Sequence, residues 1–156
     1  MTLPAPILLA DDDENDIFLM GRAFERAGSR LPLMVVRNGQ EAIDYLKAEG
    51  TYADRQAYPW PCLLLLDLKM PLLDGFEVLT WLQKRRRRQP LRVVVLSSSQ
   101  QDADIQRALN LGADAYCAKP HDFHEMVGIA CELHQQLHQP APVPSLASFR
   151  RSEERW

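Results

Sequence analysis

Five short apolar segments recur along the chain, and each is followed by a stretch in which apolar residues return every three or four positions. The apolar segments cover residues 5–10, 33–36, 62–66, 91–96 and 115–118. Such short, uniformly apolar runs are typical of strands buried on both faces, whereas three-to-four spacing is typical of amphipathic helices. The pattern therefore predicts five strands that alternate with five helices.

The ends of the predicted helices carry matching signals. Asn38 with Glu41, and Asp122 with Glu125, have the spacing of a capping box at a helix start. Gly112 follows the fourth predicted helix, where a left-handed backbone is favourable. Since strands buried on both faces belong in parallel sheets joined by crossovers, we predict a doubly wound α/β domain with a five-stranded parallel sheet and five helices.

Reactive side chains stand where the predicted strands end. These residues are Asp11, Asp12, Asp67, Ser97 and Lys119. In doubly wound sheets the carboxyl ends of the strands form the ligand site, so the five side chains are expected to converge. Three neighbouring carboxylates repel one another, and a hard divalent cation such as Mg²⁺ relieves this better than proton uptake does. With Mg²⁺ and Lys119 beside it and Ser97 as a hydrogen-bond donor, the carboxylate of Asp67 is suited to attack a phosphoryl group.

Each of these residues also has an ordinary structural explanation when it is taken alone. Paired aspartates after a strand commonly cap a helix, and Asp67 alone could be a turn residue. Ser97 could be a simple cap, and Lys119 a surface charge. Their joint occurrence in this order favours the phosphoryl-acceptor interpretation.

Composition narrows the class of protein. The 156 residues are 46% hydrophobic and 25% charged, which is typical of one soluble globular domain. A net charge of -3 argues against nucleic acid as a partner, and the apolar runs are too short to span a membrane. Without a signal sequence at the start, a cytoplasmic location is expected.

Residues 5–138 resemble the receiver domain of two-component response regulators. The motifs that carry the resemblance are the acidic pair Asp11 and Asp12, the phosphoacceptor position Asp67, the hydroxyl position Ser97, the lysine before a proline at Lys119, and the switch aromatic position Tyr116. The stretches 63–71 and 110–116 are most similar to single-domain regulators that partner phytochrome-type sensor kinases in bacteria.

The resemblance implies a flavodoxin-like receiver fold and a phosphorelay function. Mg²⁺ would be bound directly by Asp12, by Asp67 and by the main-chain carbonyl of Lys69, and through water by Asp11. Asp67 would accept a phosphoryl group from a sensor histidine kinase. The protein would catalyse only its own phosphorylation and dephosphorylation, and Ser97, Lys119 and Tyr116 would carry catalysis and switching.

One position departs from the usual family pattern, and a second is expected to affect how long the phosphoryl group stays bound. Ser97 stands where threonine is usual, which keeps the donor and loses a methyl group that restricts χ1. Lys69 lies two residues after the acceptor, and we expect this long cation beside the path of the hydrolytic water to change the phosphoryl lifetime. The long connection at about 49–61 is expected to be an ordinary surface loop, with a partner surface as the alternative.

Two other functions would use part of the same set of residues. A haloacid-dehalogenase-type phosphatase would have an acid/base aspartate where this chain has Lys69, and its acidic pair would follow the lysine. A constitutive interaction module with a vestigial phosphosite is disfavoured by the completeness of the motif set.

The segment 139–156 is expected to be a proline-rich tail with no effector domain. Output would then pass through protein contacts, with a homodimer through the face of the fourth helix, fifth strand and fifth helix as one possibility.

Overall fold

The computed structural model describes residues 4–85, 89–138 and 149–151. The strands are β1 (Ile7–Ala10), β2 (Leu33–Val36), β3 (Leu63–Leu66), β4 (Arg92–Ser97), β5 (Ala115–Ala118) and β6 (Phe149–Arg151). The α-helices are α1 (Glu14–Arg26), α2 (Gly39–Lys47), α3 (Gly75–Gln83), α4 (Asp102–Asn110) and α5 (Phe123–Leu137), and a short 3₁₀ turn covers Gly50–Tyr52. No helix within these described ranges is both long and apolar enough to cross a membrane.

One sheet organises the domain, with the strand order β2-β1-β3-β4-β5-β6. The first five strands pair in parallel, so the predicted five-stranded parallel sheet with five helices is confirmed. The order steps outward from β1 in both directions, which puts the point of reversal between β1 and β3.

A sixth strand was not predicted. β6 pairs antiparallel with β5, with Phe149 opposite Cys117 and Arg151 opposite Ala115. It belongs to the segment expected to be a proline-rich tail, and the rest of that tail (139–148 and 152–156) lies outside the described residues. Three residues are too few to show a strand period, so only the open edge of β5 reveals this strand.

The two faces of the sheet bury separate apolar clusters. Alternate strand residues, such as Leu64 and Leu66, face α2, α3 and α4 on one side. Their neighbours, such as Leu63 and Leu65, face α1 and α5 on the other. β3 is wholly buried between the two layers, so the residue that follows it emerges from the centre of the core.

Side-chain caps start the helices where the sequence predicted them. Asn38 accepts from the amide of Glu41 and Asp122 from the amide of Glu125, each at 2.8 Å. At the start of α1 the cap is Asp13, whose carboxylate accepts from the amides of residues 15 and 16. Each cap satisfies helix N–H groups that have no partner within the helix.

The connection at 49–61 is more tightly packed than the expected surface loop. Arg55 donates through Nη1 to the carbonyls of Tyr45 (2.9 Å) and Tyr58 (3.1 Å), and through Nη2 to that of Leu46 (2.7 Å). Its guanidinium lies over the rings of Tyr45 and Trp60. Because the carbonyls of Tyr45 and Leu46 belong to the last turn of α2, Arg55 fastens the connection to the end of that helix.

Candidate functional site

Backbone hydrogen bonds hold the strand ends in fixed register at the carboxyl edge of the sheet. The amide of Asp67 donates to the carbonyl of Ala10 at 3.0 Å, and the amide of Lys119 donates to the carbonyl of Ser97 at 2.8 Å. The side chains that follow β1, β3 and β5 therefore meet above the point where the strand order reverses. This is where the sequence predicted a site.

Three carboxylates form a compact cluster there. Asp11, Asp12 and Asp67 each offer an oxygen, and these oxygens all lie within 4.8 Å of one another. Asp11 and Asp67 are only 3% and 6% exposed, whereas Asp12 opens to solvent. Burial raises the pKa of the Asp11 and Asp67 carboxyls, and the ammonium of Lys119 opposes that rise. Ionising both buried groups is therefore unfavourable unless positive charge is nearby.

The donor set fits a hard divalent cation. Clustered carboxylate oxygens with one solvent-facing member are the ligands and the access that Mg²⁺ or Mn²⁺ requires. The backbone amide of Lys69 also lies at the site, 3.4 Å from Oδ1 of Asp67.

Lys119 supplies positive charge to this cluster. Its Nζ lies 3.1 Å from Oδ2 of Asp11, 3.2 Å from Oδ2 of Asp67 and 2.8 Å from Oδ2 of Asp16. Burial alone would lower the pKa of Lys119, but the three carboxylates outweigh burial and raise it well above its ordinary value. The ammonium is therefore firmly protonated at neutral pH.

Asp16 was missed by the sequence analysis. It lies in the first turn of α1, three residues after the cap Asp13, and its Oδ2 reaches the ammonium of Lys119. The only signal in the sequence was an acidic residue in the first turn of a helix that begins beside the site.

Ser97 and Tyr116 are connected through Ser99. Ser97 is fully buried, and its Oγ accepts from the amide of Ser99 at 3.2 Å. The buried Tyr116 donates its hydroxyl to the carbonyl of Ser99 at 2.6 Å. The Ser99 hydroxyl in turn donates to Asp104 in the first turn of α4, also at 2.6 Å. The predicted hydroxyl and aromatic positions thus meet in the loop between β4 and α4, through a serine that the sequence analysis did not single out.

Glycine lets α3 start directly against the acceptor. A Cβ at Gly75 would collide with the backbone oxygen of Asp67 and with Cα of Leu68. The amide of Gly75 instead donates to the carbonyl of Leu68 at 2.9 Å. Any larger residue would displace the backbone that carries the Asp67 carboxylate.

Comparison with known proteins identifies the family. The family described as the response regulator receiver domain matches residues 7–130. The chain belongs to this family. The resemblance drawn from the motifs is confirmed, and as a receiver domain the protein is a signalling module rather than an enzyme that turns over an external substrate.

Relatives of this receiver domain include two proteins that are described as regulators. The probable methanogenesis regulatory protein FilR2 of Methanothrix harundinacea is 35% identical over 123 residues, which are 79% of this chain and 77% of the relative. The response regulator Rcp1 of Synechocystis is 29% identical over 79% of this chain and 82% of its own length.

Solved structures of phytochrome response regulators share the fold. The phosphorylated cyanobacterial phytochrome response regulator RcpA is 34% identical with a TM-score of 0.78, and the alignment covers 90% of this receiver domain and 99% of RcpA. The Mn²⁺-bound form of Rcp1 is 26% identical with a TM-score of 0.77, over 91% of this chain and 100% of that one. Receiver domains bind such ions in an acidic pocket, which corresponds here to Asp11, Asp12 and Asp67.

Proposed function

We propose that this receiver domain accepts a phosphoryl group from a sensor histidine kinase onto Asp67 and signals through phosphorylation-dependent protein contacts. The observation that carries the proposal is the placement of Asp67. It follows the central strand, belongs to a carboxylate cluster suited to Mg²⁺, and lies 3.2 Å from the ammonium of Lys119. A carboxylate nucleophile flanked by positive charge is the arrangement that phosphoryl transfer needs.

In the transfer step a carboxylate oxygen of Asp67 attacks phosphorus. An O–P bond forms, the bond from phosphorus to the donor nitrogen breaks, and that nitrogen keeps the electron pair. Lys119 neutralises charge on the phosphoryl oxygens, and the hydroxyl of Ser97 turns to donate to one of them. Asp12, Asp67 and the carbonyl of Lys69 would hold Mg²⁺ directly, Asp11 would hold it through water, and the ion would supply further positive charge there.

The response to phosphorylation would pass through the loop between β4 and α4. In the resting structure the Ser97 hydroxyl accepts a hydrogen bond from the amide of Ser99. This bond breaks when the hydroxyl turns to donate to a phosphoryl oxygen. Because Ser99 also accepts from Tyr116 and donates to Asp104, a shift of the loop reaches β5 and α4 together. Phosphorylation then changes partner affinity as far as partners distinguish the two states.

The partners we propose are a sensor kinase of phytochrome type and a second copy of the chain. The kinase assignment rests on likeness to phytochrome response regulators such as RcpA, of which this chain covers 99%. A single-domain regulator and a cytoplasmic location both stay predictions.

The homodimer would use the face formed by α4, β5 and α5. β6 lies on the β5 edge of this face, so Phe149–Arg151 would be part of the surface that a second copy meets. Sedimentation of the full chain and of a version that ends at His138 tests the tail. An unchanged mass would remove the tail from the dimer.

Intact mass spectrometry tests phosphoryl transfer. Wild type, Asp67→Asn and the control Asp44→Asn are incubated with a small acyl phosphate and with a phosphoramidate, with and without Mg²⁺, and quenched rapidly. We expect one added phosphoryl group on wild type and on the Asp44 variant, only with Mg²⁺, and none on Asp67→Asn. No gain by wild type from either donor would contradict the proposal and favour the constitutive interaction module.

A further inference from the structure

The carboxylate nearest to Lys119 comes from α1 and does not belong to the metal cluster. Oδ2 of Asp16 lies 2.8 Å from the ammonium, closer than either Asp11 or Asp67. Its side chain is 28% exposed, against 4% for Asp11 and 8% for Asp67. Among the described residues, the carboxylate group suited to a metal contains Asp11, Asp12 and Asp67 without Asp16.

The backbone holds Asp16 in this position. Its amide donates to Oδ1 of Asp13, the cap of α1, at 3.1 Å. Asp16 also lies in the first helical turn, where the helix dipole favours negative charge. The Asp16 carboxylate is therefore anchored to α1, whereas Asp11 and Asp67 extend from strand ends.

A count of donors separates the roles of the three carboxylates. A lysine ammonium has three N–H donors, and Asp11, Asp16 and Asp67 supply one acceptor contact each. The proposed chemistry changes two of these contacts, because Asp11 and Asp67 are the groups that face the cation and carry the phosphoryl group. Only the contact to Asp16 has no competing role in that chemistry.

We propose that Asp16 is a positioning residue for Lys119. Its carboxylate keeps one ammonium N–H throughout the cycle, so the remaining two donors stay directed at the acceptor and at the phosphoryl oxygens that form there. A lysine has a long, flexible side chain, and one fixed contact removes much of its freedom. The benefit to phosphoryl transfer rests on the proposed function, whereas the contact itself can be tested in the resting protein.

Two substitutions at one position separate positioning from charge. Asp16→Ala removes the acceptor and the charge, while Asp16→Asn removes the charge and keeps an amide oxygen that can accept from Nζ. The matched control is Glu14→Gln, because Glu14 lies in the same helical turn, carries the same charge and pairs with Arg37 instead.

The first readout is the ¹⁵N NMR signal of the Lys119 ammonium in Mg²⁺-free protein, assigned by its loss in Lys119→Arg. We expect slow proton exchange and a visible signal in wild type, Asp16→Asn and the Glu14 control. In Asp16→Ala the signal should broaden or vanish. An unchanged signal in Asp16→Ala would overturn the proposal, whether or not the protein accepts a phosphoryl group.

The second readout is the initial rate of phosphorylation by a small acyl phosphate with Mg²⁺. Asp16→Ala should lower this rate about tenfold, because the ammonium loses its fixed orientation. Asp16→Asn should stay within about threefold of wild type. Equal increases in both variants would show that Asp16 acts only as a negative charge and would overturn the proposal. If wild type itself gains no phosphoryl group, the proposed function fails, and the NMR comparison still decides the contact.

Discussion

Two partly buried cations, Lys119 and Arg55, organise two regions of the molecule in different ways. Lys119 stands among three carboxylates at the carboxyl edge of the sheet. Arg55 stands among three backbone carbonyls and two aromatic rings at the end of α2. Two partners of Lys119, Asp11 and Asp67, are ions that can pass to a metal or a phosphoryl group. The partners of Arg55 are neutral groups that bind neither a metal nor a phosphoryl group, so one region can rearrange and the other is fixed.

The side-chain chemistry matches this division. The ammonium of lysine is a compact charge with three rotatable donors, whereas the guanidinium of arginine is a planar fork that fits fixed acceptors. The carboxylates raise the pKa of Lys119 against the effect of its burial. Burial lowers the pKa of Arg55, since its carbonyl partners carry no opposite charge. The comparison predicts that Mg²⁺ compensates for the loss of Lys119 and does not compensate for the loss of Arg55.

The largest expected effect on stability is at Arg55. Arg55→Met should lower the free energy of unfolding by about 3 kcal/mol, because three carbonyls lose a charged donor and the aromatic rings lose their cation. Urea unfolding with and without Mg²⁺ measures this, with the exposed Arg30→Met as control. Mg²⁺ should leave the deficit unchanged, and recovery by Mg²⁺ would contradict the comparison.

Removal of Lys119 should lower stability less than removal of Arg55, and Mg²⁺ should reverse the loss. Lys119→Met should lower the free energy of unfolding by about 2 kcal/mol without Mg²⁺, because buried carboxylates lose their neutralising charge. Saturating Mg²⁺ should restore most of it, since a cation can take over that role. The same urea titrations measure both variants, and a deficit of equal size with and without Mg²⁺ would remove the distinction between the two regions.

The five parallel strands and the convergence of the site could be predicted from the sequence. Apolar runs buried on both faces force parallel pairing, and parallel pairing brings every strand end to the same edge. The sequence therefore assigns Asp11, Asp12, Asp67 and Lys119 to one site. The helix starts at Asn38 and Asp122 were predictable because a cap bonds within one turn.

The contacts that the sequence could not reveal depend on tertiary geometry. Asp16 meets Lys119 across 103 positions of sequence, and Tyr116 meets Ser99 across 17. Arg55 lies in a segment without apolar periodicity, so nothing local indicates that it closes the end of α2. β6 forms because β5 offers an unpaired edge, which is a property of the folded sheet.

Removal of the negative charge at Asp67 should change stability in the opposite direction to removal of either cation. Asp67→Asn should raise the free energy of unfolding at pH 7 without Mg²⁺ by about 1 kcal/mol, because it removes one of the repelling buried charges. The pKa of Asp67 in the folded protein is raised above its value in the unfolded chain. Protonation of Asp67 therefore stabilises the wild-type fold. This stabilisation is complete below the unfolded pKa and is lost as pH rises through the folded pKa. The variant's advantage should therefore shrink as pH falls through the raised folded pKa and vanish below the unfolded one. Thermal unfolding at pH 7 and pH 3.5 checks this, and an advantage equal at both would argue against it.

A third cation, Lys69, tests whether a charged side chain at the edge of the site affects the lifetime of the phosphoryl group. Lys69 is exposed two residues after the acceptor. Lys69→Asn should shorten the phosphoryl lifetime about threefold, a barrier change of about 0.6 kcal/mol, because the long side chain no longer shields the path of water. Dephosphorylation of purified phosphoprotein measures this, with Lys47→Asn on α2 as control. Equal rates for Lys69→Asn and wild type would dismiss a role for this side chain.

The cap of α1 shows that the acidic residues at positions 11–14 tolerate different substitutions. The Asp13 side chain accepts from the amides at the start of the helix, and it is not among the carboxylates of the cluster. Serine, threonine or asparagine can make the same bonds, so Asp13 could lose its charge at little cost to the helix. Asp11 and Asp12 have no such substitutes if the site is to bind a cation. Positions that look interchangeable in the printed sequence thus differ sharply in the replacements that they tolerate.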